Sequence, residues 1–207
     1  MIEHGVLDAK SDAEANAHLL SLKKEAIALG ASDARIIPAD MVPIEDKIIE
    51  MCRPPNCEQY GKSANCPPHV MTPEAARQWI RPYRSALIFK IDVSPGVLFS
   101  EQGLGIFKKV FLISAMLEEL SVGQGHAFSK GLAAGSCKAV FCRDIPCEAL
   151  IKDKICRYPS LARPSMEALG INVFRLAREV GWEIHAILRK SDPHDIPSAM
   201  LAGLLLV

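Results

Sequence analysis

Seven cysteines carry most of the chemistry that this 207-residue chain could perform. One group reads Cys52-Arg53-Pro54-Pro55-Asn56-Cys57-Glu58 and continues to Cys66-Pro67-Pro68. A second reads Cys142-Arg143-Asp144-Ile145-Pro146-Cys147-Glu148 and continues to Cys156, with Pro159 shortly after. Both follow Cys-Arg-x3-Cys-Glu-x7-Cys, and Cys137, five residues before Cys142, extends the second group to four thiols. Cysteines that merely fill a core scatter among the apolar positions of helices and strands. Here all seven fall in two stretches without either periodicity, which points to ligation. Loops stiffened by proline let several thiolates converge on one soft metal without helix or strand geometry holding them apart.

Which metal is a separate question. Structural zinc is usually held by paired ligands two to four residues apart. The four-residue gaps between Cys52 and Cys57 and between Cys142 and Cys147 suit it, although Cys-x2-Cys occurs nowhere. The Cys-x2-Cys-x2-Cys run of bacterial ferredoxins is missing as well. Four thiolates at Cys137, Cys142, Cys147 and Cys156 suit either zinc or a four-iron cluster. The total of seven tips the balance to iron–sulfur, because a further group of three, Cys52, Cys57 and Cys66, is odd for structural zinc unless another ligand joins it. His69, three residues after Cys66, is the natural candidate, with a solvated loop histidine as the plainer reading. If the loops hold separate centres, the second is closed by four thiolates. The first keeps an open position, since Lys47 stands where Cys137 has its counterpart, and open positions are where metals do chemistry.

Other chemistries are thin. Lys and Arg together number 24, as do Asp and Glu, so the formal net charge is zero. They are spread without a basic run, and no nucleic-acid partner is expected. Gly103-Leu104-Gly105 lacks the remainder of a dinucleotide or phosphate loop. Asp92, Asp144, Glu148 and Asp153 have nothing in their spacing to separate them from solvated charges. The first thirty residues bear charges throughout and lack the apolar stretch of a secretory signal, so a cytoplasmic location with reduced thiols is expected. The longest apolar run near either end, Ala199 to Val207, is far short of the roughly 20 residues of a membrane span, and no membrane association is expected.

The elements that must position these thiols alternate between helix and strand. Ser11-Asp12-Ala13-Glu14 has the form of a capping box, with Leu19, Leu22, Ala26 and Leu29 following at helical spacing until Gly30. Thr72-Pro73-Glu74 starts a helix to about Arg81. Ile106, Val110, Ile113 and Leu117 mark a long helix over 105–120, and another runs from Ser165 to Val180 with a break near Gly170. Strands are expected over 34–38, 86–93, 126–133, 182–188 and 199–207, the last two as a hairpin. His126 and His185 fall in strand candidates and read as structural, and 41–51 takes no assignment. This pattern predicts one domain over 1–207, of α/β or α+β class, with helices packed on a single sheet and two long cysteine-rich loops, 52–71 and 135–164.

The residues Cys57 to Pro68, with Tyr60-Gly61-Lys62 and Cys66-Pro67-Pro68, carry a resemblance together with Gly135, Cys137, Cys156-Arg157-Tyr158-Pro159 and 163–171. Over nearly its whole length the chain resembles an uncharacterised prokaryotic family of predicted metal-binding, cysteine-rich proteins. The resemblance implies one compact domain and a metal or iron–sulfur centre, with Cys52, Cys57 and Cys66 as one ligand set and Cys137, Cys142, Cys147 and Cys156 as the other. It implies no reaction. Three functions fit: an iron–sulfur protein of the 4Fe-4S type that passes electrons to a redox partner protein, with Arg53, Arg143, Lys152 and Lys154 offsetting cluster charge; a zinc-stabilised binding module without redox chemistry; or an enzyme that uses a cluster beside a further cofactor such as a flavin or a corrinoid.

Overall fold

A computed structural model describes residues 3–187 and 192–207, with side chains described from Ala13 onward. Strands β1 (Asp33–Pro38), β2 (Ser85–Val93), β3 (Lys130–Leu132) and β4 (Ala199–Leu206) form one sheet in the order β1-β2-β4-β3. Every pairing is antiparallel, with Ala34 opposite Phe89 and Phe89 opposite Gly203. The inner strands β2 and β4 are apolar runs rather than alternating ones because both faces of the sheet are covered. Side chains of a strand point alternately to its two faces. Leu87, Phe89 and Leu205 accordingly enter one core and Ile88, Leu204 and Leu206 the other.

The first core is closed by α1 (Glu3–Ala28) and α5 (Gly103–Gly123), through Leu22 and Ala26 of the one and Val110, Phe111, Ile113 and Leu117 of the other. Helices α3 (Pro73–Ile80) and α7 (Val173–Glu179) close the second, with Ala76, Ile80, Leu176 and Ala177 beside Met166 and Leu169. The fold is therefore α+β. Short helices α2 (Asp46–Glu50), α4 (Pro95–Leu98) and α6 (Cys137–Phe141) lie in the connections. No helix among the described residues is long and apolar enough to cross a membrane.

Two glycines let α5 lie close on the sheet. A Cβ on Gly131 would stand 2.5 Å from the Ser114 carbonyl oxygen of α5, and one on Gly203 would stand 2.9 Å from the Ser114 hydroxyl oxygen as well as against the Phe89 ring of β2. Ser114, fully buried in α5, donates its hydroxyl to the Leu132 carbonyl at 2.8 Å and so ties the helix to β3.

Local signals in the sequence mostly hold. Thr72 caps α3 by accepting from the Ala75 amide at 3.3 Å, and Gly30 follows α1 at φ +99°. The break near Gly170 is a 3-10 turn over Glu167–Leu169 ended by Gly170 at φ +83°, after which Asn172 caps α7 through the Arg175 amide. The unassigned stretch 41–51 holds the end of a 3-10 turn and α2.

Three expectations are corrected. Ser11 does not start a helix, because α1 already runs from Glu3 and no proline precedes Ser11 to break it. The strand expected over 126–133 shrinks to Lys130–Leu132, and His126 instead stacks on His18 with ring centroids 4.0 Å apart. The hairpin of 182–188 with 199–207 does not form: residues 182–187 are outside any strand, and Leu188 lies outside the described residues. β2 pairs along the whole of one edge of β4, and β3 pairs with Leu204–Leu206 of the other. The apolar alternation of 182–187 serves packing instead, with Trp182 buried in the second core and its Nε1 donating to Asp33 Oδ2 at 2.9 Å.

Two glycines of α5 and β3 should respond in opposite ways to alanine. Gly131→Ala forces the helix off the sheet and should lower stability by about 1–3 kcal/mol. Gly105→Ala, with open space around its Cβ, should raise it by roughly 0.5–1 kcal/mol through helix propensity. Urea unfolding midpoints of the two variants check both signs.

Candidate metal centre

The first cysteine loop leaves α2 directly, with the Cys52 amide on the Ile49 carbonyl, and continues as successive hydrogen-bonded turns. Gly61, at φ +71°, takes the left-handed conformation that turns the chain, and its amide donates to the Pro67 carbonyl at 2.8 Å. This closes the loop on itself. The Cys66 amide donates to Ser63 and the His69 amide to Cys66.

The second loop departs from Gly135, at φ +70°, where a Cβ would collide with the Phe107 ring at 2.9 Å. Cys137 opens α6, the one cysteine within a regular element. Lys138 Nζ donates to the carbonyls of Cys142 and Arg143 at 2.6 and 2.8 Å, placing a cation on the carbonyl-rich end of α6. Phe141 joins this helix to the body, packing edge-on to Phe111 at 5.4 Å and against Tyr158 at 5.5 Å. The loop's far end is fixed by Glu118 of α5, whose Oε2 accepts from Arg163 Nε at 2.8 Å and from the Gly131 amide at 2.7 Å.

The loops meet at their sulfurs. Ser63 Oγ and Cys137 Sγ share a hydrogen bond of 3.3 Å, Asn65 Nδ2 donates to Cys137 Sγ at 3.5 Å, and Cys66 Sγ pairs with Ser136 Oγ at 3.4 Å. Ser63, Cys66, Ser136 and Cys137 are all buried. All seven cysteines are free thiols. Burial pushes the Cys66 thiol up, and the neighbouring Cys137, Cys57 and Cys147 add to this against the Ser136 hydrogen bond. Burial likewise raises Cys142, with Cys137, Cys156 and Cys147 adding to it and Lys138 opposing. Cys52 is pushed up to about 11 by burial first, then by Cys57, Glu167 and Cys66. The influence crosses between the loops at Cys66, where Cys137 and Cys147 of the second loop act on a thiol of the first. The raised thiols of Cys52, Cys66 and Cys142 favour their protonated form until a positive centre stabilises the thiolates.

As the side chains stand, no three His, Cys, Asp or Glu groups among the described residues converge closely enough to hold a metal ion. The donor chemistry nevertheless fits a soft metal or cluster: thiols brought together on two loops, with N–H donors aimed at sulfur. One is Asn65 on Cys137; another is the Tyr158 amide, which donates to Cys156 Sγ at 3.4 Å. Such bonds are the usual means of orienting and tuning thiolate ligands.

The two loops face different surroundings. Cys52, Cys57 and Cys66 all line a cavity of about 630 Å³, and none of the four second-loop cysteines does. His69 is not part of this wall; it is exposed, with its Nε2 on the Gly61 carbonyl at 3.2 Å. Glu167 and His185 are part of it, His185 with its Nε2 against Glu183 Oε1 at 3.0 Å. Of the acids without distinctive spacing, Asp92 pairs with Lys90, and Glu148 is held low by a hydrogen bond from Arg157. Arg53 pairs with Glu50 instead of a sulfur. Lys138 was readable in principle from its position four residues before Cys142. Ser63, Asn65 and Ser136 carry no signal beyond adjacency to cysteines, since their role arises only when the loops meet.

The geometry of a thiol-bearing junction agrees with the outcome of comparison with known proteins. The profile of the family described as "Predicted metal-binding protein (DUF2284)" matches residues 35–207, from β1 to the last residue. No curated protein and no solved structure matches the chain. The match spans well over half of the chain, which therefore belongs to the DUF2284 family of predicted metal-binding proteins.

Proposed function

We propose that this chain is an iron–sulfur protein whose cysteines hold the iron and whose role is electron transfer with a redox partner protein. The observation that carries the reading is the meeting of the two cysteine loops through the Cys66–Ser136 and Ser63–Cys137 contacts, with the Asn65 amide donating to Cys137 Sγ across the same junction. A structural zinc ion takes four ligands, and seven connected thiols exceed what one such ion uses. Clusters of the 4Fe-4S type are held by four cysteines and supply one-electron transfer when bound. Cys137, Cys142, Cys147 and Cys156 make up such a set away from the cavity. The Tyr158 and Asn65 donors to its sulfurs and the Lys138 cation beside Cys142 favour the thiolate form. Cys52, Cys57 and Cys66 leave one coordination position open towards the cavity, and this side is the place for substrate chemistry.

Protein purified without oxygen should be brown and contain iron with matching acid-labile sulfide, by metal analysis and visible spectroscopy. Stoichiometric zinc without sulfide would replace this reading with a zinc-stabilised binding module.

Cys147→Ser should lose metal and loosen residues 135–164, because a site absent from the unfolded chain contributes its binding energy to folding. Unchanged metal content in that variant would make Cys147 a packing residue. Replacing Cys52, Cys57 and Cys66 together by Ser should remove the iron that air or chelator strips first and leave the remainder bound. Loss of all metal from a still-folded triple variant would mean that the loops share one centre.

A further inference from the structure

The fold carries a carboxylate to the side of the first loop where its three thiols leave a position open. Glu167, half-buried at the start of the 3-10 turn Glu167–Leu169, lines the same cavity as Cys52, Cys57 and Cys66. Backbone hydrogen bonds fix its place relative to both ends of that set. On one side the Glu45 amide donates to the Gly170 carbonyl and the Asn172 amide to the Pro43 carbonyl, both at 2.8 Å. These tie the turn to the segment that enters α2 and emerges at Cys52. On the other side the Met166 amide donates to the Ala133 carbonyl at 3.1 Å, and from Ala133 the chain runs directly to Ser136, whose hydroxyl meets Cys66 Sγ. The side chain is held as well: burial raises its carboxyl, against hydrogen bonds from its own amide and from the Ser165 hydroxyl that orient it. Its charge acts on the Cys52 thiol next after Cys57 and ahead of Cys66. Carboxylate oxygens serve beside thiolates as protein ligands of metal ions.

We propose that Glu167 supplies the fourth ligand of the first-loop centre, a carboxylate oxygen that completes Cys52, Cys57 and Cys66 and gives way when a substrate enters from the cavity. The inference rests on the reading of those three cysteines as a ligand set and names the group at the position left open there. A carboxylate is harder than a thiolate and is held less tightly by a soft metal, so this position exchanges while the three sulfurs stay. No three such groups among the described residues converge as the side chains stand, and ligation draws the carboxylate and the sulfurs together.

Release of metal to a chelator, followed on the full chain isolated without oxygen, tests this. The fraction stripped first belongs to the first loop if it is missing from the variant with Cys52, Cys57 and Cys66 replaced by Ser. Glu167→Gln keeps the size of the side chain and an acceptor for Ser165 but removes the charge. It should speed loss of the early fraction by about tenfold or more and leave the slower fraction unchanged. Glu167→His offers an imidazole nitrogen at similar reach and should restore release to within about threefold of the unsubstituted chain. His185 also lines the cavity, with its Nε2 against Glu183 Oε1 at 3.0 Å, and His185→Gln should leave release unchanged. In the variant without the three first-loop cysteines, Glu167→Gln should alter nothing.

Equal release from Glu167→Gln and the unsubstituted chain, acceleration in His185→Gln instead, or a Glu167→His chain that loses metal as fast as Glu167→Gln would each overturn the assignment. The slower fraction reports on the fold: if Glu167→Gln accelerates both fractions alike, Glu167 holds structure and is not a ligand. A single phase of release that disappears in the triple variant overturns the assignment too. Zinc without sulfide in the isolated protein overturns the iron–sulfur reading alone, and the ligand assignment is then decided by zinc release in the same variants. Iron with matching sulfide, released at a rate indifferent to Glu167→Gln, overturns the ligand assignment alone.

Discussion

Cys66 and Cys137 lie buried against hydroxyls of the opposite loop, Cys66 on Ser136 and Cys137 on Ser63, and this exchange determines whether seven cysteines act as one group or as two unrelated ones. Within each loop the backbone hydrogen bonds are mostly local turns. What brings the sulfurs together is the junction. Sulfur is a weak hydrogen-bonding partner, so these contacts fix geometry more than they stabilise. The thiols of Cys52, Cys66 and Cys142 are raised first by burial and then by neighbouring cysteines, which favours their protonated form in the metal-free arrangement. A metal or cluster bound by these cysteines would displace such protons.

The junction is held in place by the body of the fold. Helix α5 reaches it twice, through Phe107, which fills the space over Gly135, and through Glu118, which grips Arg163 with both side chains 13% exposed. Such a pair is costly to break, since removing one partner strands a charge in a poorly solvated place. Helix α5 can serve both contacts only because Gly131 and Gly203 let it lie close on β3 and β4. The chain of dependence therefore runs from two missing side chains in the sheet, to the height of one helix above it, to the position of the second cysteine loop.

Much of this architecture was legible in the sequence because its signals were local. Thr72 as a cap, Gly30 and Gly170 as stops, the helical period of Ile106 to Leu117 and the apolar run of β2 each report on their own neighbourhood. The grouping of cysteines into two loops was equally legible. The failures have a common cause in tertiary competition. The alternation of 182–187 is that of a strand, but Trp182 is drawn into the second core and finds its partner in Asp33 of β1. Ser11 has the chemistry of a cap but sits inside a helix that begins earlier. His69 was a candidate for the first set by adjacency in sequence alone, beside the plainer reading of a solvated loop histidine. In space its ring nitrogen is on Gly61, and the cavity it would have served is faced by Glu167 and His185, from parts of the chain more than ninety residues away. No period or spacing within a single segment announces such a wall.

The central claim, that iron is held here by cysteine sulfur, is tested most directly by X-ray absorption at the iron K edge of protein isolated without oxygen. The account predicts a first shell of sulfur neighbours and a second shell of iron, the signature of a cluster held by the cysteine loops. A first shell of oxygen and nitrogen alone, or no iron while the zinc edge shows a shell of sulfur, would contradict it.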